Sequence, residues 1–128
     1  MRKVLVVDDS RMIRLILRRI LSDIGCEVCE AGDGKEALAV VDTAPDGLGL
    51  ILADWNMPEM NGFDLLTELR RRPELSDLKI VMVTTEAELG HMARALEAGA
   101  DEYIMKPFTK EVVLDKLELL GLLPQVGA

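Results

Sequence analysis

The chain lacks several features that mark other classes of protein. No apolar run approaches the ~18 residues of a membrane-spanning helix, and no secretory signal precedes the first strand pattern at residues 3–7. We therefore expect a cytoplasmic protein without membrane insertion. Basic residues are in deficit, since 15 lysines and arginines face 23 aspartates and glutamates, which gives a net charge of −8. That charge repels the phosphates of nucleic acids, so we expect no nucleic-acid partner.

Cysteine and histidine are also scarce. Cys26 and Cys29 form a C-x-x-C pair, but no second pair of cysteines or histidines accompanies it, which argues against a zinc site or a redox centre. Successive residues of a strand face opposite sides of the sheet, so the two thiols are expected to diverge and stay reduced. His91 is the only histidine. With no second ligand near it in the sequence, we interpret it as a surface residue.

What the chain does contain is a regular alternation of strand and helix patterns over 128 residues, the size of one domain. The strand patterns lie at residues 3–7, 27–31, 50–53, 79–83 and 102–105. The helical patterns lie at about residues 11–24, 35–43, 63–71, 87–98 and 110–120. This alternation predicts an α/β protein, in which a doubly wound five-stranded parallel sheet is flanked by five helices.

Four of the strand patterns end in side chains suited to phosphate or metal chemistry. Asp8 and Asp9 follow the first run, Asp54 the third, Thr84 the fourth and Lys106 the fifth. The carboxyl ends of parallel strands meet at one edge of an open sheet, so we expect these side chains to share a cleft. Three carboxylates there repel one another unless a cation binds. Their oxygen ligands, with water in the remaining positions, favour Mg²⁺.

One carboxylate in such a cleft can attack phosphorus and form an acyl phosphate. Phosphoryl transfer needs mainly positioning and neutralisation of charge, for which Lys106 and Thr84 are suitable. The alternative is that the acids cap helices in solvent and that Lys106 is an ordinary surface charge. The agreement of four strand ends favours the cleft.

These strand ends, together with Asp54-Trp55-Asn56-Met57-Pro58, Asn61-Gly62 and Lys106-Pro107-Phe108, resemble the receiver domain of bacterial two-component response regulators. The stand-alone receivers of chemotaxis are the nearest likeness. The resemblance implies a flavodoxin-like fold with strand order 2-1-3-4-5. It also implies that residues 1–128 form a single receiver domain, in which residues 121–128 are a short tail with no output domain after it.

The resemblance implies a phosphorylation switch rather than an enzyme. A histidine kinase would supply the phosphoryl group to Asp54, and the domain would catalyse only its own phosphorylation and dephosphorylation. Asp9 and Asp54 would bind Mg²⁺ directly, together with the backbone carbonyl of Asn56, and Asp8 would act through water. The product would alter the affinity for a downstream protein, such as the flagellar switch, with the domain acting as a monomer or a transient dimer.

Further roles follow from the same resemblance. Thr84 would bond to the phosphoryl group, Lys106 would pair with it, and Tyr103 would turn inward as Thr84 moves. Asn56 and Glu86 occupy positions that tune the lifetime of the phosphoryl group. The peptide bond that follows Lys106 is expected to be cis.

A partner-binding face is implied on the fourth helix, fifth strand and fifth helix. Its residues are Ala87, Leu89, Met92, Leu96, Tyr103, Met105 and Lys116. The alternative for Leu89, Met92 and Leu96 is that their helical spacing places them in the core.

The first helix has two features that bear on docking. Met12 and Leu15 lie off its inward stripe, where they either dock the kinase or border the core. Arg11, Arg14 and Arg18 form a basic stripe, for which a solvated face is the default interpretation and docking to an acidic kinase is the alternative.

Three other functions remain as alternatives. An aspartate-nucleophile phosphatase of the haloacid dehalogenase type needs a second aspartate two residues after Asp54, but Asn56 stands there. A flavin-binding module needs a phosphate-cradling loop after the first strand, where Asp8 and Asp9 would repel the phosphate. A receiver that serves as a phosphate sink or a binding module outside chemotaxis is the third.

Overall fold

The computed structural model describes residues 3–43, 47–85 and 90–123. Within them five strands alternate with five helices, which confirms the predicted α/β class. The strands are β1 (Lys3–Val7), β2 (Glu27–Ala31), β3 (Leu48–Asp54), β4 (Lys79–Thr85) and β5 (Glu102–Lys106). The helices are α1 (Arg11–Asp23), α2 (Gly34–Thr43), α3 (Gly62–Arg70), α4 (Met92–Glu97) and α5 (Lys110–Leu119), with a 3₁₀ helix at Pro73–Leu75.

The strands form one parallel sheet in the order β2-β1-β3-β4-β5, as predicted. Alternate strand residues enter two apolar layers, one on each face of the sheet. The layer with α2, α3 and α4 contains Leu5, Ile51, Met82, Ala37, Leu66 and Ala95. The layer with α1 and α5 contains Val6, Leu52, Val83, Leu17, Leu21, Val113 and Leu117. The helices on both faces make the sheet doubly wound.

Side-chain caps fix where three of the helices begin. Ser10, Asn61 and Thr109 each accept a hydrogen bond from the backbone N–H three residues later, at the start of α1, α3 and α5. Such caps satisfy N–H groups that have no partner within the helix. All three caps follow strands that end at the predicted cleft, so they also fix how the chain leaves that edge of the sheet.

The fourth helix differs from its prediction. The sequence pattern predicted a helix over residues 87–98, whereas α4 spans Met92–Glu97. Gly90 and His91 form a 3₁₀ turn ahead of it, which is consistent with the low helix propensity of glycine. Residues 86–89, which include the predicted site residues Glu86, Ala87 and Leu89, lie outside the described residues.

The Arg70 side chain, at the end of α3, forms hydrogen bonds at the edge of the sheet opposite the predicted cleft. Its Nε donates to the carbonyl of Gly99 at 2.9 Å, its Nη1 to that of Leu75 at 3.1 Å, and its Nη2 to Asp101 Oδ2 at 2.9 Å. The same Asp101 oxygen accepts from the backbone N–H of Ile80 at 2.8 Å. Charge-assisted bonds of this kind are among the stronger ones in proteins, so α3, β4 and the chain after α4 are joined firmly.

The two cysteines behave as predicted. Neither takes part in a disulfide. Cys29 packs against the layer that holds α2, α3 and α4, and Cys26 packs against the opposite layer. The thiols therefore lie on different sides of the sheet.

None of the helices in residues 3–43, 47–85 and 90–123 combines the length and the apolar character that crossing a bilayer requires.

Candidate functional site

The predicted convergence of carboxylates at the ends of β1 and β3 is present. One oxygen each from Asp8, Asp9 and Asp54 can be chosen so that all three lie within 4.8 Å of one another. Asp8 and Asp54 are 1% and 5% exposed, whereas Asp9 is open to solvent. The site thus has two buried acids and one accessible acid at the carboxyl edge of the sheet.

Lys106, at the end of β5, lies against both buried acids. Its Nζ is 2.8 Å from Asp8 Oδ2 and 3.3 Å from Asp54 Oδ1. Burial alone lowers the pKa of Lys106, but the hydrogen bond to Asp8 and the charge of Asp54 outweigh burial and raise that pKa. Lys106 therefore stays protonated and is the internal counter-ion of the cleft. The bond from Lys106 to Pro107 is cis, as predicted.

Asp54 is a buried acid whose charge Lys106 compensates only in part. Burial, followed by repulsion from Asp8, raises the pKa of Asp54 to about 6 in spite of the nearby Lys106 ammonium. Below that pH Asp54 is mostly protonated. Above it the carboxylate is ionised but poorly solvated, a state that a cation or an electrophile relieves.

Thr84 and Asn56 lie at neighbouring strand ends. Thr84 is fully buried in β4, one residue beyond Val83, which is the register partner of Asp54. Its hydroxyl donates to the carbonyl of Thr85 at 3.2 Å. Asn56 is exposed, two residues after Asp54.

The loop between β3 and α3 is held close to Asp54 by Gly62. The Gly62 N–H donates to the carbonyl of Trp55 at 2.9 Å. A Cβ built on Gly62 would overlap the backbone carbonyl of Asp54, so only glycine permits this approach. The sequence signal was the Asn61-Gly62 pair, which the family motif contains but periodicity alone does not explain.

The solvated basic stripe predicted on α1 is wrong for Arg14, whose side chain is 19% exposed, whereas the Arg18 side chain is 41% exposed. Arg14 Nε and Arg18 Nε donate to the two oxygens of Glu30 in β2, at 2.9 and 2.6 Å. Arg14 Nη1 also donates to the carbonyl of Asp8 at 2.6 Å. Arg11 is exposed, as predicted. This pairing was not predicted, because the rotation of α1 that turns both arginines toward β2 cannot be read from a local pattern.

The predicted partner face divides into surface and core. Leu96 is 46% exposed, but Met92 is 5% exposed and packs in the layer with α2 and α3, so its assignment to that face is corrected. Tyr103, Met105 and Lys116 are partly buried, and Lys116 Nζ lies 4.5 Å from the centroid of the Tyr103 ring. The alternative of a core role therefore holds for Met92 and fails for Leu96.

An aromatic group adjoins the acids. The Trp55 ring lies 5.7 Å from the His91 ring, with 18° between their planes, and 5.6 Å from the Phe63 ring. Arg94 lies over Phe63 at 4.8 Å. His91 is exposed, as predicted. These contacts join the residue after Asp54 to α4.

An apolar cleft of about 390 Å³ opens beside Lys106. Its lining residues are Ile13, Ile16, Thr85, Lys106, Pro107 and Phe108. On α1 beside it, Met12 is 65% exposed and Leu15 is 41% exposed, so neither belongs to the core. Ile16, which lines the cleft, is 39% exposed.

The carboxylate group fits a hard divalent cation. Three oxygen ligands converge, and no cysteine or histidine joins them among the described residues. Asp9 leaves one side open to solvent, so a bound ion would retain water and could accept a further oxygen ligand. This small set of oxygens suits Mg²⁺ better than Ca²⁺, which takes more ligands.

Comparison with known proteins gives one consistent result. The family model described as the response regulator receiver domain matches residues 4–118. Chemotaxis protein CheY1 of Helicobacter pylori is 44% identical over 119 residues, which covers 92% of this chain and 95% of that protein. Chemotaxis protein CheY of Pseudomonas aeruginosa is 38% identical over 117 residues, covering 91% and 93%.

Solved structures agree with the sequence relatives. The chemotaxis response regulator CheY4 of Vibrio cholerae superposes with a TM-score of 0.86 at 38% identity, over 94% of this chain and 98% of that one. A CheY-like receiver domain protein from Methanospirillum hungatei superposes with a TM-score of 0.82 at 35% identity, over 94% and 93%. Both the fold and the sequence thus match the same kind of protein.

Proposed function

Because the chain belongs to the family of response regulator receiver domains, we propose that Asp54 is its phosphoacceptor and that residues 1–128 act as one such domain in the cytoplasm. The chain is homologous to the chemotaxis regulators, whose function is phosphorylation-dependent signalling rather than turnover of a substrate. The supporting observation is the contact of Lys106 with Asp8 and Asp54 in a cleft that also contains Asp9.

The proposed reaction is transfer of a phosphoryl group from a phosphohistidine. An oxygen of ionised Asp54 attacks phosphorus, the new O–P bond forms as the N–P bond breaks, and the bond electrons leave with the imidazole nitrogen. Lys106 then pairs with a phosphoryl oxygen, and the hydroxyl of Thr84 turns from the Thr85 carbonyl to donate to another. Attack by water on phosphorus reverses the modification, at a rate that Asn56 and Glu86 tune.

The cation proposed for this site is Mg²⁺. Asp9, Asp54 and the backbone carbonyl of Asn56 would bind it directly. Both oxygens of Asp8 already accept hydrogen bonds, from the N–H of Ser10 and from Lys106, which supports a role for Asp8 through water. When bound, the ion supplies positive charge that offsets the carboxylates and the incoming phosphoryl oxygens.

Binding of Mg²⁺ should be strongly pH-dependent. Because the pKa of Asp54 is raised to about 6, a cation must displace a proton below that pH. We expect the affinity to fall by up to about tenfold per pH unit below about pH 6 and to level off above it. Trp55, the only tryptophan, adjoins Asp54, so its fluorescence should report the titration. Asp9→Asn is the matched loss-of-site variant. An affinity that is the same at about pH 5 and pH 8 would contradict the proposal.

Replacing Lys106 should separate cation binding from signalling. In Lys106→Ala the cation no longer competes with the ammonium group for Asp8, so we expect Mg²⁺ to bind several-fold more tightly, on the order of 1 kcal/mol. The variant should fold and accept phosphate. Its partner face, however, should not respond, as judged by NMR shifts of Leu96 and Tyr103. Lys110→Ala removes an exposed charge as a control. Weaker Mg²⁺ binding or an intact response would remove Lys106 from the mechanism.

The proposed partners meet two different surfaces. A histidine kinase would dock beside the acids, where Met12 and Leu15 of α1 are exposed next to the apolar cleft. A downstream protein would bind the face that contains Leu96, Tyr103 and Lys116, as a monomer or a transient dimer. Phosphorylation changes the output only through a difference in partner affinity between the two states.

A further inference from the structure

Asp8 is held at every one of its hydrogen-bonding groups. Its N–H donates to the carbonyl of Ala31 at 3.1 Å. Its Oδ1 accepts from the N–H of Ser10 at 2.8 Å, and its Oδ2 accepts from Lys106 at 2.8 Å. Its backbone carbonyl accepts from Arg14 Nη1 at 2.6 Å. The contact with Arg14 is the one that the proposed reaction leaves without a role.

Arg14 is itself fixed by a second charged contact. Its Nε donates to Glu30 Oε1 at 2.9 Å, and the other oxygen of Glu30 accepts from Arg18 at 2.6 Å. The hydrogen bond from Arg18, together with that from Arg14, lowers the pKa of Glu30 although burial opposes it. Glu30 therefore stays ionised, and the planar guanidinium of Arg14 is anchored at one edge while another edge reaches the site.

The direction of the Asp9 side chain depends on how the backbone around it is held. Among the residues that the structure describes, none donates a hydrogen bond to the Asp9 carboxylate, which is exposed. Its orientation therefore follows from the backbone. The carbonyl of Asp8 and the N–H of Asp9 belong to one planar peptide unit, so a bond that fixes the carbonyl also fixes the plane from which Asp9 projects.

We propose that Arg14 is a positioning residue of the cation site, which aims Asp9 by holding the Asp8 carbonyl. The proposal rests on the proposed function, in which Asp9 binds Mg²⁺. Groups that orient metal ligands without touching the metal contribute about 10- to 100-fold to metal affinity in other proteins. Arg14 lies on α1 and is held by Glu30 of β2. It would orient Asp9, which follows the end of β1.

Because Arg14 is positively charged, loss of its charge and loss of its positioning role change the Mg²⁺ affinity in opposite directions. A guanidinium beside three carboxylates repels a cation, so loss of its charge alone would tighten Mg²⁺ binding. Loss of its positioning would weaken binding. Arg14→Met removes both the charge and the hydrogen bonds while it keeps an unbranched side chain. Weaker binding in that variant therefore means that positioning outweighs charge.

Arg18→Met is the matched control. Arg18 lies on the same helix and bonds to the same carboxylate of Glu30, but it makes no contact with Asp8. Mg²⁺ affinity would be measured by calorimetry at about pH 8, with urea unfolding run in parallel. We expect Arg14→Met to bind at least about tenfold more weakly than the wild type. Arg18→Met should stay within about twofold, because its charge is more exposed and better screened.

The outcomes separate the inference from the function on which it rests. If Arg14→Met binds Mg²⁺ as tightly as the wild type or more tightly, or if Arg18→Met loses as much affinity, the positioning role is overturned while the proposed function stands. If the wild type itself does not bind Mg²⁺, the proposed function fails and the inference fails with it. Should Arg14→Met not fold, Arg14→Lys keeps the charge but cannot span Asp8 and Glu30 in the same way. Unchanged affinity in Arg14→Lys would then overturn the role, and a loss would support it.

Discussion

Asp54→Asn should unfold with a free energy about 2–3 kcal/mol larger than that of the wild type at about pH 8 without divalent cations, although the substitution removes the proposed phosphoacceptor. The pKa of Asp54 is raised from 3.8 to about 6 by folding, so the folded state disfavours the ionised form. The wild type therefore loses stability as the pH rises from about 4 to about 6, and the loss is constant above that range. Asparagine carries no charge, so Asp54→Asn does not undergo this loss of stability.

The same variant tests the chemistry. After incubation with acetyl phosphate and Mg²⁺, mass spectrometry should find one labile phosphoryl group on the wild type and none on Asp54→Asn. Urea unfolding at about pH 4 and about pH 8 should show the stability difference only at the higher pH. Asp77→Asn, at an exposed position, is the control for removing an acid. If Asp54→Asn is still phosphorylated, the phosphoacceptor is another residue. If Asp54→Asn and the wild type have the same unfolding free energy at both pH values, the electrostatic account is refuted.

Gly62→Ala should lose about 3 kcal/mol of unfolding free energy and most of the affinity for Mg²⁺. The added Cβ would overlap the backbone carbonyl of Asp54 and would lie 2.8 Å from Cε of Met82. A methionine end can shift, but the Asp54 backbone belongs to the central strand β3 and cannot move without displacing the acid. Damage to the fold and to the site therefore arises from the same contact.

Gly90→Ala is the matched control for Gly62→Ala. Within the part of the chain that the structure describes, no atom lies within 4 Å of a Cβ built on Gly90. We expect this change to alter the unfolding free energy by less than about 0.5 kcal/mol. Urea unfolding and Mg²⁺ titration of both variants provide the comparison. If the two substitutions change the unfolding free energy and the Mg²⁺ affinity equally, close packing against Asp54 is not what requires glycine at position 62.

The sequence was sufficient for the sheet and for the convergence of Asp8, Asp54 and Lys106. Four of the five strands contain a local apolar run, and right-handed crossovers allow few orders for such strands. Once the strands are parallel, the residues at their carboxyl ends must share an edge of the sheet. Single residues disfavoured two alternatives, Asn56 for the phosphatase and the Asp8-Asp9 pair for the flavin module, and the family match agrees.

Contacts between elements were harder to predict. The pairing of Arg14 with Glu30 requires α1 to be rotated toward β2, and no local pattern contains that rotation. Met92 and Leu96 share helical spacing, yet only Met92 is buried, since packing against α3 sets the rotation of α4. Local patterns fix which residues form an element, whereas the other elements fix which side of it is covered.

The two ends of α4 are held by different kinds of contact, and Arg70 provides those at one end. Just past its C-terminal end, Gly99 is held through its carbonyl by a guanidinium that also joins Asp101, whereas at its N-terminal end His91 has a ring stack with Trp55. Gly99 also has φ of 115°, a backbone state open mainly to glycine. The C-terminal end of α4 is therefore held by charge-assisted hydrogen bonds and its N-terminal end by an aromatic contact, so a displacement of the Trp55 ring would move the N-terminal end of α4 more readily than the end near Leu96.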